Sequence, residues 1–201
     1  MGSKLGNKGN RHDVYFRKAK EQNFVSRAVY KLKETDEKYK ILKKGMTVID
    51  MGAAPGSWSQ YAASKIGSSG KLISVDLNEL AVSLPAWCRV FKSDFNDLDY
   101  EKIMEDNGGP FDVILSDMAP STTGIKFTDC VRSAELVNFV LDKVPGILKV
   151  GGALYCKIFQ GEDFDDTVKN VRALFKRVKM IKPDSSRSES KELFIYAWER
   201  K

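Results

Sequence analysis

The hydrophobic residues of this chain follow two patterns, short apolar runs and longer stretches with helical spacing. The apolar runs are typical of buried strands and predict strands at residues 47–51, 71–75, 89–92, 111–116, 153–159, 178–181 and 193–198. The helical spacing predicts helices at residues 24–39, 58–66, 100–106, 129–148 and 164–175. Because helices separate most of the strands, the pattern indicates a doubly wound α/β domain. We expect its sheet to be mostly parallel, with an antiparallel strand pair at the C-terminus.

The length and composition favour one soluble domain preceded by a basic arm. A chain of 201 residues is long enough for one α/β core and short for two. Residues 1–22 are polar and basic, so we predict a flexible arm there and a folded domain over residues 23–201. We find no signal peptide and no apolar run that would span a bilayer. The expected protein is therefore a cytoplasmic monomer without membrane association.

Charge is unevenly distributed along the chain. Residues 1–44 contain 13 Lys and Arg against 5 Asp and Glu, whereas the whole chain has a net charge of +6. A second basic stretch covers residues 169–191. Two basic segments flanking a mildly acidic body suggest a polyanion such as RNA as partner. The alternative is an ordinary solubilising surface, and composition alone does not separate the two.

Cysteine and histidine usage narrows the possible chemistry. The three cysteines are widely spaced and form no CxxC pattern, so neither a zinc site nor a disulfide framework is indicated. The single histidine, His12, lies near the N-terminus, which argues against a histidine metal site and a Ser-His-Asp system. We therefore predict no metal, and expect Lys, Asp, Glu and a bound cofactor to carry out the chemistry.

A cofactor site is predicted at the carboxyl ends of the first three strands. The segment 48–58 has the order strand, glycine-containing turn, helix, in which Gly52 and Gly56 allow close approach of a ligand. Asp76 follows the second strand and is placed to bind ribose hydroxyls, and Asp94 follows the third and could reach an adenine amino group. The turn matches neither GxGxxG nor GxxxxGK[ST]. An adenosine-bearing ligand without a pyrophosphate fits this pattern best.

Five blocks stand out in order along the sequence: SRAVYKL at 26–32, DMGAAPGSW at 50–58, SDMAP at 116–120, KIFQG at 157–161 and KPDSSR at 182–187. Together these blocks resemble the FtsJ family of RNA 2′-O-methyltransferases. The resemblance covers nearly the whole chain and implies a Rossmann-like methyltransferase domain that uses S-adenosyl-L-methionine. The DMAP and PDSSR versions are most similar to the bacterial-type branch acting on a uridine of large-subunit ribosomal RNA. The branch acting on tRNA anticodon loops is the alternative.

The resemblance also implies functional positions. Its Lys-Asp-Lys-Glu tetrad falls on Lys31, Asp117, Lys157 and Glu192. The cofactor-binding positions, taken from the resemblance and the strand-end pattern together, are Asp50, Gly52, Ala53, Pro55, Gly56, Ser57, Trp58, Asp76, Asp94 and Asp117. Ser57 departs from the family, in which many members have glycine at this position, and we expect little effect because serine is small.

Elementary chemistry supports Lys157 as the central catalytic residue. A ribose hydroxyl is a poor nucleophile unless a base accepts its proton, and such a base must be unprotonated near neutral pH. The strand that contains Lys157 is otherwise apolar, and both burial and a second cation at Lys31 favour the neutral amine. Asp117 and Glu192 oppose this effect but orient the amine. A non-catalytic RNA-binding or ribosome-assembly factor on the same fold is the rival hypothesis, against which the intact tetrad argues.

Overall fold

The structure is a computed structural model that describes residues 8–120, 124–187 and 189–201. Its helices are α1 (Lys8–Glu21), α2 (Val29–Tyr39), α3 (Ser57–Ile66), α4 (Tyr100–Asn107), α5 (Lys126–Ile147) and α6 (Phe164–Leu174), with a short 3₁₀ helix at Phe95–Asp97. Its strands are β1 (Thr47–Met51), β2 (Lys71–Asp76), β3 (Arg89–Lys92), β4 (Phe111–Ser116), β5 (Leu148–Phe159), β6 (Phe175–Ile181) and β7 (Glu192–Arg200). None of the helices in these ranges is long and apolar enough to cross a membrane.

The seven strands form one sheet in the order β3-β2-β1-β4-β5-β7-β6. The first five of these pair in parallel, and β7 pairs antiparallel with both β5 and β6. The sequence-based prediction of a mostly parallel sheet with antiparallel C-terminal strands is therefore confirmed. Strand order reverses between β1 and β4, and ligands of doubly wound sheets bind at such a point, outside the carboxyl ends of the strands.

The core lies on both faces of the sheet. One cluster of buried apolar side chains includes residues of α5 such as Val140 and Val144, and the other includes residues of α2 and α3 such as Leu32 and Ile66. All five residues of β1 are buried, as expected for a central strand covered on both faces. The two helical layers thus hold β1 and β4 rigidly, and these strands carry the turns described below.

The N-terminal region, predicted from the sequence as a flexible arm over residues 1–22, contains a helix, and the flexibility of the arm stays a prediction. Residues 8–21 form α1, which docks through Ala19, fully buried, and through Tyr15, whose ring lies 5.2 Å from that of Tyr30. Residues 1–7 lie outside the described ranges. This docking depends on Tyr30, 15 positions further along the chain, so the local composition of the arm gives little sign of it.

The helix predicted from residue 24 begins at Val29 instead. Backbone groups of the preceding turn are bound by side chains of the next helical unit: Val25 N donates to Gln60 Oε1 and Trp58 Nε1 donates to Ala28 O, each at 2.9 Å. These tertiary hydrogen bonds replace helical ones. They fix the start of α2 to the turn that follows β1.

Candidate active site

A cavity of about 440 Å³ opens at the carboxyl ends of β1 to β4. Three acids predicted to lie at strand ends, Asp76, Asp94 and Asp117, line it together with Gly52. Apolar side chains complete the walls, namely Val75, Leu77, Phe95, Met118, Ala119 and Leu136. The cavity therefore combines carboxylates with apolar surface, as a site for an uncharged heterocycle and its ribose requires.

Local turns orient the two outer acids. Asp76 Oδ1 accepts a hydrogen bond from Asn78 N at 2.8 Å, and Asp94 Oδ1 accepts one from Asn96 N at the same distance. In both cases an aspartate binds the backbone two residues on, which is a stable local turn. Asp76 Oδ2 also accepts from Ala54 N at 2.9 Å, so the turn after β1 is tied to the end of β2.

Two glycines allow the turn after β1 to pass close to its neighbours. Gly52 has a φ of +76°, and a Cβ there would lie 2.3 Å from Met118 Cγ. Gly56 has a φ of +112°, and a Cβ there would lie 2.4 Å from Val82 Cγ1. Both the backbone conformation and the lack of space favour glycine. The sequence-based argument for close approach at these two positions thus has a steric basis.

Several predicted cofactor residues lie outside the cavity lining. Ser57 and Trp58 are buried, and both bind the segment before α2: Ser57 accepts a hydrogen bond from Ser26 Oγ, and Trp58 donates to Ala28 O. Trp58 also stacks on Tyr155, with ring centroids 5.4 Å apart. Ala53, Pro55 and Gly56 belong to the same turn but do not line the cavity either. A direct contact of these five residues with a cofactor stays a prediction.

Asp50 is a buried carboxyl group next to the cavity-lining turn. Its Oδ2 accepts a hydrogen bond of 2.6 Å from Ser59 Oγ, which in turn lies 2.8 Å from Ser74 Oγ. Its Oδ1 is buried without a hydrogen-bond partner. Burial raises the pKa of Asp50 from 3.8 to about 7; the Ser59 hydrogen bond opposes this, and the charges of Asp117 and Asp76 add to it. Asp50 does not line the cavity, so its predicted contact with a cofactor also stays a prediction.

The four predicted tetrad residues meet at one place although they come from four elements. Asp117 directly follows β4. Lys157 Nζ on β5 lies 2.8 Å from its Oδ1 and 2.5 Å from its backbone oxygen. Lys31 Nζ on α2 lies 2.6 Å from Glu192 Oε2 and 3.8 Å from Asp117 Oδ1. The structure therefore arranges these groups in the order Lys157, Asp117, Lys31, Glu192.

Strand register and the helix-sheet packing hold this order. In the antiparallel pairing of β5 and β7, Lys157 lies opposite Phe194, and Phe159 lies opposite Glu192. The Tyr155 hydroxyl donates to Lys31 O at 2.8 Å and anchors α2 to β5. Each tetrad side chain is at most 18% exposed, so the two amines and two carboxylates are held largely out of bulk water. With two positive and two negative groups, the cluster is close to electrically neutral when all are ionised.

Asp117 connects the two parts of the site. Asp117 lines the cavity, and its carboxylate contacts both Lys31 and Lys157. A molecule in the cavity therefore lies beside the tetrad, and a hydroxyl brought to Lys157 would lie close to the same cavity. This arrangement suits a group transfer between a cavity-bound donor and an oxygen held at Lys157.

Sequence reasoning missed some of the residues around the site. Ser186 Oγ donates to Glu192 Oε1 at 2.9 Å and so orients the last tetrad member. Phe95, Met118 and Leu136 form apolar walls of the cavity. Ser186 and Met118 lie in the blocks that carry the family resemblance, so the sequence could have indicated that they are near the site. Leu136 lies on a long helix with many apolar residues, and nothing in the sequence distinguishes it from them.

The fold and this site define the class of protein. The FtsJ-like methyltransferase family matches residues 24–200, and the chain belongs to that family. The resemblance seen in the sequence is thereby confirmed, as are the Rossmann-like methyltransferase fold and S-adenosyl-L-methionine as cofactor.

Individual relatives are similar over almost their whole length. A Bdellovibrio bacteriovorus protein named ribosomal RNA large subunit methyltransferase E is 44% identical over 194 residues, covering 96% of this chain and 98% of the relative. A protein of the same name from Oleidesulfovibrio alaskensis is 48% identical over 184 residues, covering 90% of this chain and 88% of the relative. A crystal structure from Plasmodium falciparum, provisionally described as a ribosomal RNA methyltransferase, matches with a TM-score of 0.75 and 26% identity, covering 88% of this chain and 98% of that one.

Proposed function

We propose that this protein transfers a methyl group from S-adenosyl-L-methionine to a ribose 2′-hydroxyl of large-subunit ribosomal RNA, with a uridine as the target. The observation that carries this proposal is the position of Asp117, which lines the cofactor cavity and also binds the two lysines of the tetrad. The names of the relatives from Bdellovibrio and Oleidesulfovibrio support ribosomal RNA as the substrate.

The cavity residues fit this cofactor. Asp76, tied to the turn after β1, would accept hydrogen bonds from the ribose hydroxyls, and Asp94 from the adenine amino group. Phe95, Met118 and Leu136 offer apolar surface to the adenine ring. The absence of a side chain at Gly52 keeps the cavity open beside Met118. Bound S-adenosyl-L-methionine supplies a methyl group already activated by the adjacent sulfonium.

The tetrad would prepare the nucleophile. In its neutral amine form, Lys157 would hold the ribose 2′-hydroxyl and accept its proton as the oxygen attacks, while Asp117 fixes the position of the amine through its carboxylate and its backbone carbonyl. Lys31 balances the charge of Asp117 and Glu192. Because the cluster is largely shielded from water, its electrostatic interactions are stronger than they would be at the surface.

Basic surfaces would hold the RNA over this face. The second basic stretch of the sequence runs through β6, which forms one edge of the sheet and exposes Lys176, Arg177 and Lys179. The other basic segment contains α1 and α2, and α2 contributes Lys31 to the tetrad. Phosphate contacts to such surfaces position RNA without reading its sequence.

The proposed function is tested by replacing Lys157 with Ala and with Arg. The assay measures transfer of labelled methyl from S-adenosyl-L-methionine to large ribosomal subunits isolated from cells that lack the protein, with mapping of the 2′-O-methylated nucleotide. We expect Lys157→Ala to lower kcat toward the upper end of the ~10²–10⁴-fold effect of a general base. Lys157→Arg should not restore the rate, because guanidinium does not give up its proton at working pH.

The matched control is Lys149→Ala, which removes an exposed lysine from the opposite end of the same strand. This control should keep the wild-type rate, and both variants at residue 157 should bind S-adenosyl-L-methionine normally by calorimetry. If the wild-type protein methylates anticodon loops of tRNA but not large-subunit RNA, the substrate assignment is wrong. If it methylates no RNA, the assembly-factor hypothesis replaces the enzyme. A near-normal rate in Lys157→Ala would refute only the catalytic role of Lys157 and would leave the substrate assignment unchanged.

A further inference from the structure

A row of aromatic side chains runs along β7 away from the tetrad. Alternate residues of a strand point to the same face of the sheet. Glu192 is therefore followed on its face, the one that packs against α2 and α3, by Phe194, Tyr196 and Trp198. The ring of Trp198 stacks on that of Tyr196, with centroids 4.6 Å apart and planes 14° apart. Tyr39, at the end of α2, also packs on Tyr196, with centroids 5.4 Å apart, so the three rings form one aromatic cluster.

This cluster lies at a defined distance from the tetrad. Lys157 pairs with Phe194 across the strands, and Trp198 follows Phe194 by four residues, which is about 13 Å along a strand. Lys31 and Tyr39 are eight positions apart on α2, which is about 12 Å along a helix. Both elements therefore lead from the tetrad to the cluster over the same distance. A nucleic-acid strand with a rise of ~3.4 Å per nucleotide covers it in roughly four nucleotides.

The outer part of the cluster is accessible and has cations beside it. Trp198 and Tyr39 are partly exposed, whereas Tyr196 is buried between β7 and α2. Lys38 Nζ lies 5.6 Å from the centroid of the Tyr39 ring, and Lys179 Nζ lies 5.2 Å from it. Both lysines are exposed. Two like charges beside one ring repel each other, so this position favours an anionic partner.

Trp198 is the outer end of the cluster. Its neighbour across the strands is Arg177, which forms a loose ion pair with Glu199, at 3.7 Å. In the part of the chain that the structure describes, Tyr196 is the only ring that stacks on Trp198, and no lysine or arginine lies over its indole. The fold thus leaves part of a large flat ring exposed beside a group of cations. Nucleobases stack on such rings whatever their identity, because every base has a π face.

We propose that Trp198 stacks on an unpaired base of the substrate RNA, a few nucleotides from the ribose that Lys157 engages. Lys38 and Lys179, gathered at Tyr39, bind the phosphate beside that base. This inference rests on the proposed function, since it assumes an RNA substrate at the tetrad. The bases of a duplex are stacked on one another, so only a loop, a bulge or a single strand fits this site. The contact sets the register of the RNA strand and takes no part in methyl transfer.

The test uses Trp198→Leu, Trp198→Phe and Lys179→Gln, with Phe139→Leu as matched control. Phe139 is also an exposed ring, 48% accessible, but it lies on α5, which covers the other face of the sheet. Binding of a short oligouridine and of its duplex with oligoadenosine is measured at several salt concentrations. Methyl transfer to large ribosomal subunits from cells lacking the protein gives kcat and KM. Calorimetry with S-adenosyl-L-methionine shows whether each variant is folded.

We expect Trp198→Leu to weaken oligouridine binding about tenfold, the effect of removing a stacking ring, without changing the slope of log K against log salt. Lys179→Gln removes a charge, so its slope should become shallower by about 0.7. Trp198→Phe keeps a ring and should keep most of the affinity. Oligouridine should quench the tryptophan fluorescence of the wild type and much less that of Trp198→Phe, a signal that a purely structural role of Trp198 would not give. For subunits, Trp198→Leu should raise KM more than it lowers kcat.

Four results would overturn the proposal. Equal oligouridine affinities of Trp198→Leu and Phe139→Leu would mean that no base stacks on Trp198. Equal losses for oligouridine and duplex would indicate a backbone contact instead. A raised KM for subunits with unchanged oligouridine binding would assign this surface to a ribosomal protein.

The fourth result is equal quenching in the wild type and Trp198→Phe, and this comparison still decides if Trp198→Leu does not fold. RNA binding is measured without methyl transfer, so a failure of the proposed reaction and a failure of this site are distinguishable.

Discussion

Replacing Asp50 with Asn changes a fully buried carboxyl group into a neutral amide of nearly the same size. The folded protein raises the pKa of this group from 3.8 to about 7, mainly through burial. The folded state therefore binds the proton more tightly than the unfolded chain does. The stability that comes from this proton is fully present below about pH 4 and is lost as the pH rises through about 7.

The size of the effect follows from the same values. A tenfold change in proton affinity is worth ~1.4 kcal/mol, so a rise in pKa from 3.8 to about 7 changes the free energy of unfolding by at most about 4 kcal/mol. Between pH 5 and pH 7, the ionisation of this group should lower the free energy of unfolding of the wild-type protein by about 2 kcal/mol relative to that of Asp50→Asn. The buried amide also leaves an unpaired donor, which costs about 1–3 kcal/mol but does not depend on pH. The test therefore rests on how the free energy of unfolding changes with pH, and not on its value at a single pH.

Urea unfolding followed by tryptophan fluorescence at pH 5, 6, 7 and 8 measures this difference. The control is Asp142→Asn, which removes an exposed carboxylate of α5 and should give a pH profile parallel to that of the wild type. Carboxylates that do not interact with Asp50 contribute equally to wild type and variant, so they cancel in the difference, whereas the smaller effects of Asp117 and Asp76 on Asp50 remain part of the measured difference. Parallel profiles for Asp50→Asn and wild type would show that this carboxyl group is ionised without penalty, and the reasoning would be refuted.

Two further changes test the cavity. Asp76→Ala removes a carboxylate that ties Ala54 to the end of β2 and faces the cavity. Calorimetry should therefore show binding of S-adenosyl-L-methionine weakened at least tenfold. An unchanged affinity would exclude Asp76 as a ligand. Gly52→Ala and Gly108→Ala compare two glycines with φ of +76° and +78°, of which only the first would place Cβ 2.3 Å from another side-chain atom. Backbone strain should lower the free energy of unfolding of both variants by about 1 kcal/mol. Gly52→Ala should lose about 1–3 kcal/mol more because of the steric overlap, and it should bind cofactor less well. Equal losses of unfolding free energy in urea would contradict the steric argument.

Local pattern was sufficient to predict most elements of the sheet. The apolar runs of β1 and β4 are buried on both faces, and such runs stand out in any sequence window. What local pattern does not contain is the partner of each element. Helix α1 docks on Tyr30, and the first turn of the helix predicted from residue 24 is replaced by hydrogen bonds to Gln60 and Trp58.

The same distinction applies to the site. The acids at strand ends were predictable, since parallel strands bring their carboxyl ends to one edge, and Asp76 and Asp94 do line the cavity. Trp58 was assigned to the cofactor by resemblance; its ring stacks on Tyr155 in the core, a contact that the sequence did not predict, and its contact with the cofactor stays a prediction. Which lysine pairs with which acid was not predictable, because it depends on the register that sets Phe159 opposite Glu192.

The antiparallel strand β7 lies between β5 and β6 in space although it follows both in sequence. Lys31 and Glu192, which form an ion pair, are 161 positions apart. While the chain is being synthesised, β5 and β6 therefore emerge before the strand that separates them, and the tetrad lacks its last carboxylate. Because a domain folds as its segments become available, the site is completed only when β7 inserts. A nascent or prematurely terminated chain that ends before residue 192 would expose the edge of β5 for pairing with other strands and would lack the carboxylate of Glu192 that pairs with Lys31.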